Sequence, residues 1–303
     1  MNKNELLSSL TGASTNKYKR SKLSPLRYAG GKSLAVGYVV EKLPESVTEI
    51  CSPFMGGGSV ELALAKQLGL RVKAYDIFDL LVNFWQVILD KPDILAERLA
   101  LLSADRTTFS EIKNKLADHF YNRHFVTDEV ELAALYFFNH NTSYGPGFLG
   151  WPSSVYMDSK KWLAMVERVR SLSAPTLSVE QASFEKSISM NPQALIYADP
   201  PYYLDGNSKM FKGIYPQRNF PIHHNGFDHA KLRDLLLNHP AGFILSYNDC
   251  DVIRDWYSDC EISEPVWQYT LGQGETRIGV NRLMDNADHI KKSHELLIWK
   301  LPK

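Results

Sequence analysis

The sequence predicts an α/β fold, a doubly wound and mostly parallel sheet carrying an inserted, mainly helical module. Three observations predict it. Short apolar runs alternate with helical periodicity towards both ends of the chain, as strands joined by crossover helices do. The turn Gly56-Gly57-Gly58 stands between a strand-like and a helix-like run, and Asp76 closes the next strand-like run, about 20 residues on, the spacing of a nucleotide-binding βαβ unit. Between residues 84 and 177 strand signals fade and helical ones take over. The predicted layout is a basic flexible tail over 1–23, a main α/β domain over 24–83 and 178–303, and the helical insert over 84–177.

Composition bounds the class. Of 303 residues, 44% are hydrophobic and 22% charged, ordinary for a globular chain with a full core. Cys51, Cys250 and Cys260 form no Cys-x-x-Cys pair, so neither a disulfide framework nor a zinc ribbon is expected and a reducing cytoplasm is. No signal-peptide core opens the chain, and no run reaches the roughly 18 apolar residues of a membrane span. A formal net charge of zero argues against indiscriminate nucleic-acid binding while leaving room for a local basic groove. No metal site is expected, since the adjacent His223 and His224 point apart on extended chain.

In chain order, residues 1–22 set Lys3, Lys17, Lys19, Arg20 and Lys22 against Glu5 and read as a mobile basic arm. Arg27-Tyr28-Ala29-Gly30-Gly31-Lys32-Ser33 leads into a helical pattern stopped by Pro44. Gly31-Lys32-Ser33 lacks the earlier glycine and the preceding strand of a phosphate loop. The paired glycines therefore read as a point of close backbone approach, with Lys32 available to an anionic group such as a carboxylate. Residues 47–51 read as a strand, Ser52-Pro53-Phe54-Met55-Gly56-Gly57-Gly58-Ser59 as a turn, and 60–68 as a helix closed by Gly69. The strand 71–75 delivers Asp76, an acid placed for ribose hydroxyls. NAD, S-adenosylmethionine and other adenosine ligands all fit that pair.

Within the insert, Thr108-Phe109-Ser110-Glu111 has capping-box spacing, Thr127 and Asp128 precede an apolar run over 130–138, and Asp158 precedes a helix over 159–172,. Asn139-His140-Asn141-Thr142-Ser143-Tyr144-Gly145-Pro146-Gly147 reads as a glycine-rich loop whose amides suit adenine edges. Its other reading is a turn satisfying its own backbone. After a strand at 176–181, Phe184 reads either as a cover for an adenine ring or as core.

The apolar run 194–198 ends in Asp199-Pro200-Pro201-Tyr202, an acid, two rigid prolines and an aromatic ring. The loop that follows, 206–227, holds Lys209, Lys212 and Arg218 with Phe211, Tyr215 and Phe220 and no acid, a mixture suited to phosphate contact and base stacking. Asp228 caps a helix through 237, and a strand at 242–247 ends in Asn248. A short helix at 251–257 and strands at 266–271 and 294–301 complete the pattern.

Ligands of doubly wound sheets lie beyond the carboxyl ends of the strands, where Ser52, Asp76, Asp199 and Asn248 are expected together. The exocyclic nitrogen of adenine is a poor nucleophile because its lone pair is delocalised. If Asp199 and the Pro200 carbonyl each accept one of its hydrogens, that pair is freed towards an electrophilic methyl group. Two prolines fix φ and aim the carbonyl, Tyr202 stacks on the base, and positioning carries the catalysis. A base inside a duplex must first be flipped out.

After its first two dozen residues the chain resembles the Dam-like adenine-specific DNA methyltransferases. The matching pieces run in the family's order: Arg27 to Lys32, Pro53-Phe54-Met55-Gly56-Gly57-Gly58-Ser59-Val60, Asp76, Asn139 to Gly145, Asp199 to Tyr202, Leu245-Ser246-Tyr247-Asn248 and Glu295-Leu296-Leu297-Ile298. The resemblance implies a Rossmann-like methyltransferase domain with a target-recognition insert. It implies S-adenosylmethionine as donor, held by Tyr28, Gly30, Lys32, Pro53, Phe54, Gly56, Gly57, Gly58, Asp76, Phe184 and Asp199. Asp199, Pro200, Pro201 and Tyr202 would hold the target adenine, and Asn139, Asn141, Tyr144, Lys209, Lys212 and Arg218 would contact double-stranded DNA. A cognate restriction endonuclease and a prokaryotic or phage origin are further expectations. Ser52 and Ser183 depart from the family, many of whose members carry acids there. The rivals are an RNA-adenine or DNA-cytosine-amine methyltransferase and a non-catalytic DNA-binding protein that keeps the donor pocket.

Overall fold

A computed structural model of the chain describes residues 1–12, 17–28, 30–122, 126–144, 147–203, 227–265 and 295–302. The predicted strand at 266–271, the histidines 223 and 224, and the loop bearing Lys209, Lys212 and Arg218 lie outside them.

The α/β expectation holds. The strands β1 (Glu49–Ser52), β2 (Arg71–Asp76), β5 (Leu177–Gln181), β6 (Leu195–Ala198), β7 (Phe243–Asn248), β8 (Glu261–Ser263) and β9 (Glu295–Lys300) form one sheet in the order β5-β2-β1-β6-β7-β9-β8. The five strands from β5 to β7 in that order are parallel, whereas β9 runs antiparallel to both neighbours. The chain moves outwards from β1 to β2 and β5, then returns to β6 on the other side of β1. That reversal is the topological switch point, the crevice where such sheets bind ligands.

Both faces are covered, as parallel sheets require. Side chains alternate accordingly: Leu195, Tyr197, Ile244 and Leu297 enter one core, and Ile196, Ala198, Leu245 and Ile298 enter the other. The first core also receives the helices α1 (Lys3–Leu10), α2 (Val36–Lys42) and α3 (Ser59–Lys66). The second receives α9 (Phe184–Met190), α10 (His229–Leu237) and α11 (Asp251–Trp256).

Between β2 and β5 the chain forms α4 (Asp79–Asp90), which straddles the expected boundary at 84, then α5 (Pro92–Ala100), α6 (Arg106–Ala117), α7 (Glu129–Thr142), α8 (Ser159–Arg170) and a hairpin of β3 (Ser143–Tyr144) and β4 (Trp151–Pro152). The buried Trp85, Phe109, Phe137 and Trp162 of this stretch belong to the same core as Ile50 and Val72 of the sheet. This helical stretch thus shares the sheet's first core. Asp128 and Asp158 cap α7 and α8 as expected, but Asp105 caps α6, accepting from Thr108 N at 2.8 Å. The capping-box spacing at Thr108 is therefore one turn late.

The N-terminal segment differs from the mobile arm expected of its basic composition. Asn2 and Glu5 close a capping box on α1, and Leu6 and Leu10 are buried against the rest of the first core. Tyr18 is buried too, hydrogen-bonded to Glu41 and packed so closely on Gly37 that a Cβ there would fall 2.2 Å from its Cγ. Apolar anchors at helical spacing outweigh the solvation of the flanking lysines.

Candidate active site

Five strand ends define one rim. Ser52 closes β1, Asp76 closes β2, Gln181 closes β5, Asp199 follows β6 and Asn248 closes β7. The glycine turn occupies its β1 side. Gly56 and Gly58 have φ of 45° and 63°, conformations costly for a residue with a Cβ. Space is equally exclusive, since a Cβ on Gly58 would stand 2.6 Å from Met55 Cε and 2.8 Å from Trp85 Cζ2. A Cβ on Gly57 would stand 2.5 Å from Tyr28 Cβ, so Tyr28 lies directly on the turn.

Asp76 binds this turn to its own strand. Its Oδ2 accepts from Gly56 N and its Oδ1 from Phe78 N, both at 3.0 Å, while Trp85 Nε1 donates to Gly56 O at 3.0 Å. Burial pushes the Asp76 carboxyl above the usual range, and the amides of Gly56, Phe78 and Ile77 pull it back. Pro53 is buried beneath the turn. Phe54 stacks with Phe184 at 5.9 Å, and Phe227 closes on Phe184 at 5.1 Å. Phe184 opens α9, with Ser183 capping the helix by accepting from Lys186 N.

Across the switch point Lys32 Nζ meets Asp199 Oδ1 at 2.8 Å. It donates to Gly30 O at 3.0 Å and stands 4.9 Å from the centre of the Tyr202 ring. Gly30 has φ of 72°, which turns its carbonyl to the lysine. Burial raises the Asp199 carboxyl, and the Lys32 ammonium works against that. Pro200 is buried. Tyr202 is buried and stacks with Tyr247, ring centres 6.2 Å apart.

Glu61 is a site-region residue that sequence reading missed. It sits in the first turn of α3, only 3% exposed, with Ser52 Oγ donating to its Oε1 at 2.7 Å. Burial lifts its carboxyl to about 7, Ser52 opposes this, and the charges of Asp199 and Asp76 add to it. In sequence it looks like any acid favouring a helix N-terminus.

The residues expected to read bases divide. Asn139, His140, Asn141 and Thr142 are the last turn of α7, and Asn139 and Asn141 are fully buried. Asn139 Oδ1 accepts from Leu149 N at 2.8 Å. Asn141 Oδ1 accepts from Arg27 N at 2.9 Å, and its Nδ2 donates to Pro25 O at 3.2 Å. Both groups of the Asn141 amide are thus used inside the protein, whereas Asn139 uses its Oδ1 and its buried Nδ2 has no partner among the described residues. Burial drives His140 down to about 4; the neutral ring stacks on Tyr28 with centres 5.6 Å apart and has Nε2 3.2 Å from Arg27 O.

Tyr144, by contrast, is 68% exposed, directly opposite Trp151 at 76% on the hairpin. Lys113 Nζ lies 4.8 Å from the Trp151 ring centre and donates to Gly150 O at 3.0 Å. Trp151 and Lys113 were not legible as a pair because 38 residues of sequence separate them.

A doubly wound sheet with a glycine turn, an acid closing the second strand and an Asp-Pro-Pro-Tyr segment at the switch point defines an enzyme of the adenosine-donor group-transfer class. A family model narrows the class: residues 28–271 match the D12 class N6 adenine-specific DNA methyltransferases. The chain belongs to that family, which makes it an adenine-specific DNA methyltransferase, with S-adenosylmethionine as the implied donor. No curated protein matches the chain.

Proposed function

We propose that the protein methylates adenine at a specific site in double-stranded DNA, receiving the base flipped out of the duplex at the switch point between β1 and β6. The observation that carries this reading is the amine already seated on the platform. The Lys32 ammonium lies 2.8 Å from Asp199 Oδ1 and 4.9 Å from the Tyr202 ring centre, the place and company an adenine amino group requires.

The glycine turn, Tyr28, Asp76 and the Phe54 and Phe184 rings suit the donor. Close backbone approach, a strand-end acid for hydroxyls and flat apolar surface match an adenosine, and the carboxylates of Asp76, Asp199 and Glu61 match its positive charge. When bound, the donor supplies an electrophilic methyl group on a sulfonium. Lys32 leaves Asp199 as the base enters and is positioned to serve the donor's carboxylate. Asp199 then accepts one hydrogen of the amine and the Pro200 carbonyl the other, localising the nitrogen lone pair towards the methyl. The ring face now under Lys32 receives the base. As the new N–C bond would form, the donor's S–CH3 bond would break, leaving a neutral thioether, and the nitrogen would shed one proton to Asp199, whose burial raises its affinity for it. Burial of Pro200 and Tyr202 keeps water from the site, and orientation supplies most of the acceleration.

The hairpin with Tyr144, Trp151 and Lys113 offers the DNA two stacking surfaces and a cation. The test is methyl transfer to duplex, single-stranded DNA and RNA, together with fluorescence of a duplex carrying 2-aminopurine at the target. The expected result is N6-methyladenine from duplex and a fluorescence change on binding. Transfer confined to RNA or single strands, or to cytosine, contradicts the reading.

A further inference from the structure

We propose that Asn248 is a positioning residue for methyl transfer, holding the Asp199-Tyr202 segment at its working height by pairing its side-chain amide with both backbone groups of Tyr203. The inference rests on reading Asp199 and Pro200 as the acceptors of the adenine amine, and it concerns what keeps them in place.

The sheet stops supporting this segment early. Ala198 is the last residue of β6 in register with β7, opposite Leu245. Pro200 and Pro201 follow, neither with an N–H to bind a neighbouring strand. Rigid φ angles alone do not fix where the segment sits relative to the rim. Tyr203 supplies the missing anchor. Its N–H donates to Asn248 Oδ1 at 2.8 Å, and Asn248 Nδ2 donates back to its carbonyl at 2.9 Å. The planar amide thus takes the part of a neighbouring strand, reaching past the two prolines.

The anchor is itself fixed. Asn248 is 4% exposed, ends the wholly buried β7 and lies opposite Glu295 of β9. The preceding residue, Tyr247, carries the ring that stacks with Tyr202. Consecutive residues of one central strand therefore hold consecutive residues of the platform. A carboxamide is required because it offers a donor and an acceptor in one plane. Aspartate of the same shape keeps the acceptor, loses the donor and sets a negative charge against the Tyr203 carbonyl.

Steady-state methylation of adenine-unmethylated genomic DNA by the full chain, with donor concentration varied, tests this on Asn248→Asp and, should that variant not fold, on Asn248→Ser. The expected result is a kcat lower by roughly 10- to 100-fold, as misplacement near 1 Å produces. Donor KM should stay within about three-fold. An unchanged kcat overturns the proposal. So does a donor KM that rises in step with a falling melting temperature, which marks a general structural role. If the wild-type chain transfers no methyl to adenine, the underlying reading fails before any variant is compared.

Discussion

Burial at the foot of the glycine turn leaves Glu61 with a carboxyl near 7, against an ordinary 4.5. The unfolded chain ionises first as pH rises, so the stability associated with this group is full below about 4.5 and is lost progressively up to about 7. A shift of this size corresponds to about 3 kcal/mol. Glu61→Gln keeps the Ser52 hydrogen bond without the charge; its stability relative to the wild type should be greater at pH 8 than at pH 5, read by urea unfolding at both. An equal difference at the two pH values contradicts a buried, titrating Glu61. At Gly58 the constraint is steric. Gly58→Ala meets a φ of 63° and contacts under 3 Å to Met55 and Trp85, so donor binding should weaken by about ten-fold, within the roughly 1–3 kcal/mol of such strain. Calorimetric titration with donor measures it. Gly58 was legible because a glycine turn between strand and helix has few other causes, whereas Glu61 was hidden by its resemblance to a surface acid.

The last turn of α7 runs into the β3–β4 hairpin and contacts Arg27 and Tyr28. Arg27 is its counterpart: its backbone N–H and Nη1 bind Asn141, its carbonyl faces His140, and its guanidinium lies 3.3 Å from the Tyr156 ring centre. Asn141→Ala strands the Arg27 N–H and the Pro25 carbonyl. A destabilisation of about 2–4 kcal/mol is expected, checked by urea denaturation, with no loss if the amide were instead free to read bases. The sequence suggested a loop here because polar residues cluster, and polarity at a buried junction is indistinguishable from polarity at a surface until the partners, more than 100 residues away, are in place. The same blindness applied to α1, a short helix whose apolar anchors are followed by the basic stretch Lys17 to Lys22, and to β8, too short for periodicity. By contrast, strands β1, β2, β6 and β7 and the caps of α7 and α8 were legible, since their signals are local.

At the scale of the whole molecule the proposed donor residues sit at the strand ends and the proposed DNA-contacting rings on the β3–β4 hairpin. Tyr144→Ala and Trp151→Ala should therefore weaken DNA binding by about ten-fold or more each, the scale of one lost base stack, while donor affinity stays unchanged. Fluorescence anisotropy with duplex and calorimetry with donor separate the two, and a parallel loss of both would contradict the division. The sheet brings five strand ends to one rim, and the proposed chemistry depends on the acid at the switch point. The most direct measurement is methyl transfer by Asp199→Ala beside equilibrium binding of labelled S-adenosylmethionine. The expected result is transfer reduced by at least about 100-fold, the scale for losing a group aimed at developing charge, with donor binding largely kept. Methylation of adenine at close to the wild-type rate would contradict the role assigned to Asp199.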